Sequence, residues 1–333
     1  MELRRLGRTG LRVSRIGLGT LAWAGYPVER GTAEQRAAET LKAFWEAGGT
    51  LVDTADVYAD GGAELLLGRL LDGLVPRRDL VIATKAGRVA DAERPCDGSR
   101  GHLLAALDAS LARLGTDHVD LWHVHAFDAG TPLEETLHAV DLAVSSGRAR
   151  YAGVADFCGW QLAKAATWQL AAPGTRVPLA STLMEYSLLQ RGVEREVLPA
   201  ARDLGLGLLP SSPLGRGVLS GKYRGGARPE GSRGATERLA GFVEPYLDGA
   251  AERIVEAVAT AADGLAVTPL QVALAWVRDR PGVTAPLVGA RSAAQLQEAL
   301  SAEALSLPDE ITRALDDVSA PLHRYPDHDW STL

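Results

Sequence analysis

Short apolar runs rich in Val, Ile and Leu alternate along the chain with longer stretches whose apolar positions recur every three to four residues. The first pattern predicts buried strands and the second amphipathic helices, and their alternation predicts repeated βα units around a parallel sheet. Strands are expected at Arg15–Gly19, Thr50–Asp53, Leu80–Thr84, Val119–His123, Arg150–Val154, Leu179–Leu183, Gly207–Leu209 and Ala285–Val288. Helices are expected at Ala33–Ala47, Ala63–Leu71, Arg100–Leu114, Leu133–Ser146, Trp160–Ala166, Val193–Asp203, Ala251–Ala262 and Ala293–Leu300. Gly, Asp and Pro stand at most junctions, where caps and turns need them. An open sheet wound on both faces usually stops at about five to seven strands, whereas eight strand-helix units close on themselves. The pattern therefore predicts one α/β domain over residues 1–333, a (β/α)8 TIM barrel.

Two segments fall outside the repeat. Residues Met1–Val13 are expected to form an N-terminal hairpin plugging the barrel floor, and an extra helix, Pro269–Arg278, precedes the eighth strand. Gly221–Glu237 is rich in Gly, Arg and Pro without hydrophobic period, so it reads as a long loop at the C-terminal face, serving as a lid or as a passive insertion. The polar and aromatic tail Leu322–Leu333 either folds over that face or trails in solvent.

Composition narrows the function without naming it. With 333 residues, 46% of them hydrophobic and 23% charged, the chain can bury a large core. A net charge of -7 and the lack of a Lys/Arg run argue against nucleic acid as a partner. Cys96 and Cys158 are too few for a disulfide framework and lack metal-ligand spacing. The opening MELRRLGRTG has no apolar signal core, and no stretch approaches the roughly 20 apolar residues that span a bilayer. A cytoplasmic protein with no membrane partner is the expectation, and a homo-oligomer is neither required nor excluded.

In such a barrel the working groups stand at the carboxyl ends of the strands, so polar residues that cut off apolar runs are the ones to inspect. Asp53 ends TLVD, Tyr58 follows in DTADVY, Lys85 ends LVIATK and His125 ends DLWHVH. Singly, each has a bland role: a cap, a snorkelling cation, two loop residues. Together an acid, a phenol, an ammonium and an imidazole converge on one barrel mouth. A phenol titrates near 10 and donates poorly at neutral pH unless a nearby cation favours its ionised form. Lys85 would supply that charge, Asp53 would hold Lys85, and His125 would donate to a substrate carbonyl, leaving Tyr58 as general acid. Reduction also needs a hydride that no side chain can deliver, hence a cofactor. Gly17-Leu18-Gly19-Thr20-Leu21-Ala22 satisfies a GxGxxG/A pattern, but the turn-rich WAGYPVERG that follows is no helix, which argues against a dinucleotide-binding sheet.

DTADVY with Glu64 six residues on, then VIATK, DLWHVH and SSPLGRGVLSGKY, resemble the aldo-keto reductases. The likeness runs from RRLGRTGLRVSRIGLGT to LVGARSAAQLQEAL and is strongest to the bacterial branch that also resembles potassium-channel β subunits. It implies NADPH lying across the mouth and a catalytic tetrad of Asp53, Tyr58, Lys85 and His125. It implies that Gly19, Thr20 and Trp23 lie near the nicotinamide, and that Ser212, Leu214, Gly215, Arg216, Gly217 and Lys222 wrap the pyrophosphate. Gly289, Arg291, Ser292, Gln295 and Glu298 fall where the family holds the adenosine and its 2′-phosphate, and an Arg beside a helix start suits a phosphate dianion.

Five positions depart from the family pattern. Ala155 and Asp156 stand where GVSNF has a Ser and an Asn, Leu183 where a Gln is common, Ser211 where an aromatic stacks on the nicotinamide, and Ala299 where an Asn is frequent. Two lost hydrogen bonds at about 1 kcal/mol each and one lost stack at about 0.5–1.5 kcal/mol would weaken ring positioning roughly a hundredfold, although Asp156 can still accept from the carboxamide. The resemblance thus predicts an NADPH-dependent reductase of a small carbonyl substrate. The alternative is a barrel with an eroded nicotinamide pocket, working as a non-redox acid/base enzyme or a cofactor-sensing subunit. Trp23, Val57, Arg88, Phe127 and Trp160 are the substrate-pocket candidates, and Arg88 is the one that would meet an anionic substrate.

Overall fold

The computed structural model describes residues 1–23, 30–71, 73–89, 93–235 and 237–321. The tail from Leu322 onward lies outside the described residues. Two short strands, β1 (Leu3–Arg5) and β2 (Arg12–Ser14), pair antiparallel. Between them Gly7 has φ +54, and a Cβ there would fall 2.5 Å from the Gly205 carbonyl, so the tight turn that seats the hairpin needs glycine.

The barrel follows as β3 (Gly17–Gly19), β4 (Leu51–Asp53), β5 (Val81–Ala86), β6 (Val119–Val124), β7 (Ala149–Ala155), β8 (Leu179–Glu185), β9 (Gly207–Ser211) and β10 (Leu287–Gly289). All neighbours pair in parallel in the order β10-β3-β4-β5-β6-β7-β8-β9. The ring closes just ahead of β10, where the Leu208 amide donates to Gly282 at 3.2 Å and the Thr284 amide donates to Leu208 at 2.8 Å. The predicted (β/α)8 TIM barrel is therefore the fold. Each predicted strand is present, with its edges shifted by up to two residues: β5, β6, β7, β8, β9 and β10 run further toward the carboxyl end, while β3, β4, β5 and β10 start later.

Helices α1 (Arg30–Glu46), α2 (Gly62–Leu71), α3 (Arg100–Leu114), α4 (Leu133–Ser145), α5 (Gly159–Leu170) and α6 (Val197–Leu204) cover the first seven strands. After β9 come α7 (Glu237–Val243), α8 (Gly249–Leu265) and α9 (Pro269–Arg278), and β10 is followed by α10 (Ala293–Ser301) and α11 (Asp309–Val318). Helix α9 has the predicted bounds because Thr268 and Gln271 form a reciprocal cap and Pro269 opens the first turn. The expected Val193–Asp203 helix is instead a turn at Gly192–Glu194 followed by α6, and α5 runs four residues beyond Ala166. Gly221–Glu237 is not featureless: Arg224–Gly226 and Arg233–Ala235 form single helical turns, and Tyr223 is buried.

Two apolar layers result. The larger lies between strands and helices. The smaller fills the lower barrel with Leu51, Ala83, Leu121, Leu209 and Leu287, and the hairpin adds Leu6 and Val13 to it. The plugged floor predicted from the sequence is present. No single helix among the described residues is long and apolar enough to cross a membrane.

Candidate active site

Inward-facing side chains alternate along each strand, so the layer above Leu51, Ala83 and Leu121 consists of Asp53, Lys85 and His123. Asp53 and Lys85 are 4% and 1% exposed. The Lys85 ammonium donates to Asp53 Oδ2 at 2.7 Å, to the Thr54 carbonyl at 2.6 Å and to the Tyr58 hydroxyl at 3.3 Å. His125, 7% exposed just past β6, meets Tyr58 edge to face with ring centroids 6.1 Å apart. The four residues singled out in the sequence are thus brought to one point. Burial works against the Lys85 ammonium, but Asp53 and Tyr58 more than offset it and hold the group above its ordinary pKa. Burial raises the Tyr58 phenol above 10 and outweighs the opposing pull of Lys85. The expected net lowering by Lys85 is therefore corrected: Tyr58 stays a neutral acid, and Lys85 limits the cost of ionising it. Burial, with Lys85 and Arg88 adding to it, depresses the His125 imidazole to about 2, so the ring is neutral.

Further buried groups support this layer, and sequence reasoning did not find most of them. Buried His123 on β6 meets the Ser181 hydroxyl on β8 over the intervening β7 at 2.9 Å. Gly153 makes the room, since a Cβ there would lie 2.7 Å from the His123 ring and 2.5 Å from the Ser181 carbonyl. Burial lowers the His123 pKa to about 3. Behind Tyr58, wholly buried Glu64 accepts from Thr84 Oγ1 and, at 2.7 Å, from Arg113 Nε. The Asp56 carboxyl is pushed up to about 7 by burial and then by the nearby Glu64, and its Oδ1 is a buried atom without a hydrogen bond. Asp56 lies inside the DTADVY motif, but nothing in the sequence marks its side chain as buried.

From Asp53 and Tyr58 a cleft of about 400 Å³ runs over Leu183 and Ser211 toward α10. Gly19, Ser212, Leu214, Arg216, Gly217 and Lys222 line it, and so do Gly289, Arg291, Gln295 and Glu298. Thr20, Trp23 and Gly215 are buried behind its surface, while Leu21 and Ala22 form that part of the wall. Ser292 caps α10, accepting from the Gln295 amide at 3.3 Å. The Arg216 guanidinium is turned to Glu185, which it grips through two hydrogen bonds at 3.0 and 2.7 Å. Arg233, unforeseen because it sits in a Gly-rich segment, also lines the cleft and donates to the Arg216 carbonyl at 2.9 Å. Arg291 donates to the Gly231 carbonyl at 2.6 Å, so the segment after Tyr223 bridges both walls. Burial lowers the Lys222 pKa, and the charges of Arg233 and Arg291 add to the effect. Three cations, Lys222, Arg233 and Arg291, thus gather at one end of the cleft.

Asp156 stands apart from the cleft, with φ +55 and its carboxylate on Arg88 Nη2 at 2.6 Å. Beside that pair, Phe127 packs edge-on against Phe157 and Trp160, at centroid distances of 5.4 and 5.5 Å. No group of three or more metal-ligating side chains occurs among the described residues.

Comparison with known proteins agrees with this architecture. The family model of the aldo/keto reductases matches residues 15–320. The chain is 37% identical, over 96% of both chains, to a Bacillus subtilis protein named uncharacterized oxidoreductase YrpG. It is 35% identical, over 91% of both chains, to a probable voltage-gated potassium channel subunit beta of Arabidopsis thaliana. It is also 30% identical to a probable aldo-keto reductase 1 of Glycine max, covering 93% of this chain and 87% of that one.

Proposed function

The chain belongs to the aldo/keto reductase family, and from that premise we propose that it reduces the carbonyl group of a small molecule with NADPH as reductant and Tyr58 as general acid. One observation carries the reading: a single cleft has Asp53 and Tyr58 at one end and Lys222, Arg233 and Arg291 at the other. Three cations suit the pyrophosphate and an additional phosphate dianion better than a ribose hydroxyl. The bound nucleotide supplies the hydride. As charge develops on the carbonyl oxygen, Tyr58 delivers its phenolic proton there. Lys85, 3.3 Å from that hydroxyl, stabilises the phenolate left behind. Asp53 keeps Lys85 charged and aimed, and neutral His125 donates a hydrogen bond to the same oxygen without competing for its proton. Leu183 and Ser211 line the cleft where the nicotinamide would lie and offer it neither a side-chain amide nor an aromatic face.

Removing a positioned general acid costs about 10²–10⁴ in rate. Tyr58→Phe should lower kcat with a panel of aldehydes by that factor while NADPH still binds, as followed by nucleotide fluorescence. A charge-assisted hydrogen bond is worth about 1.5–3 kcal/mol, so NADPH should bind about tenfold or more tightly than NADH, and Arg291→Ala should erase most of the difference. Equal affinity for the two nucleotides in the intact chain would remove the phosphate assignment, and unchanged turnover in Tyr58→Phe would remove the acid.

A further inference from the structure

Arg88 lies three residues beyond Lys85 on the β5 side of the mouth, and Asp156 is the first residue after β7. Because β6 stands between β5 and β7 in the sheet, an ion pair joining those two strand ends passes over the end of β6, where His125 sits. The electrostatics agree: the Arg88 charge is felt at His125 and the Asp156 charge at Tyr58. The backbone around Arg88 is held in place. Arg88 bridges antiparallel to Cys96, the Asp97 amide donates to Gly87 at 2.9 Å, and Asp128 accepts from the Gly98 amide at 2.9 Å. Asp156 is followed by buried Phe157, on which Phe127 packs, and Phe127 in turn packs against Trp160, which is 59% exposed.

Both members of the Arg88–Asp156 pair are 42% exposed. A pair that open to water contributes about 0–1 kcal/mol, so replacing Asp156 by another carboxylate costs little, whereas a guanidinium recognises a planar carboxylate through two parallel hydrogen bonds. We propose that Arg88 anchors the anionic group of the substrate, with Asp156 holding its place until a carboxylate-bearing carbonyl compound with an aromatic or apolar body enters. This rests on the reductase reading above for its kinetic consequence and on the ion pair itself for its binding consequence.

The test compares two aldehydes that differ in charge and little else, 4-carboxybenzaldehyde and its methyl ester. The quantity read is the ratio of kcat/KM for the acid to that for the ester, in the intact chain and in Arg88→Ala, Arg88→Lys and Asp156→Asn. Arg88→Ala should lower the ratio at least tenfold, mainly through KM for the acid. Arg88→Lys should lie between, and Asp156→Asn should raise the ratio by removing the competitor. A ratio that stays within twofold in Arg88→Ala overturns the anchor. If the chain reduces neither aldehyde, it is the reductase reading that falls, and the anchor is then judged by calorimetric binding of terephthalate. Binding weakened at least tenfold by Arg88→Ala supports it, and equal binding by the two proteins, or none to the intact chain, overturns it.

Discussion

Lys85 is almost wholly enclosed, and its charge is sustained by Asp53 and by the Thr54 carbonyl. Removing one member of a buried pair leaves the other charge uncompensated, at about 3–5 kcal/mol. Lys85→Met should therefore lower unfolding free energy in urea by that amount, and adding Asp53→Asn should restore part of it. Asp56 gives a pH signature of opposite origin. Its carboxyl is raised toward 7 in the folded chain, so its contribution to stability is fully present below its unfolded pKa near 4 and is lost as pH rises through about 7. Asp56→Asn should thus raise the melting temperature more at pH 8 than at pH 5; equal shifts at both would show that the carboxyl does not titrate in that window. The tetrad residues were legible because each abruptly ends or follows an apolar run. Asp56, His123 and Arg233 were not, because their roles arise from what lies across the barrel or across the cleft.

At the level of elements, the strands were legible from their apolar runs, and α9 from its cap. Boundaries at the carboxyl ends were less so. There Lys85 and Glu185 are polar yet continue the ladder, since their side chains are satisfied inside the mouth, so hydrophobicity alone stops a strand too early. Helix α11 went unread because its buried stripe is narrow: Leu315 is the one fully buried side chain in the ten-residue segment. The irregular stretch after β9 holds its form through residues at positive φ, among them Ser212, Gly215, Arg216 and Gly217, and through side chains that bind carbonyls. Gly153 in β7 invites a direct test. A methyl group there collides with backbone across the sheet, and overpacking a core costs about 1–3 kcal/mol. Gly153→Ala should show that loss in urea unfolding and a lower kcat, because His123, level with Lys85 in the sheet, and Ser181 must move.

For the molecule as a whole, the N-terminal segment is tied to the end of α9 and to the turn after α10 as well as closing the floor. Arg4 donates to the Arg278 carbonyl at 2.6 Å, and Arg15 pairs with Glu303 at 2.7 Å. Truncating a buried Leu to Ala costs about 2–5 kcal/mol, so Leu6→Ala at the base of the barrel should cost that much stability although it lies at the end opposite the tetrad. The cation cluster at the far end of the cleft has a consequence for chemical labelling. The chain has four lysines, Lys42, Lys85, Lys164 and Lys222. Lys42 and Lys164 are solvent-facing, with side chains 56% and 53% exposed, and Lys85 is sealed in at 1%. Lys222 is only partly covered, and burial, with the charges of Arg233 and Arg291 adding to it against Tyr223, lowers its pKa and so keeps more of its amine in the uncharged, nucleophilic form. A mild acylating reagent should therefore modify Lys222 faster than its exposure alone predicts and leave Lys85 untouched. A nucleotide bound in the cleft should shield Lys222 while Lys42 and Lys164 react as before, which makes this one amine a mass-spectrometric reporter of occupancy.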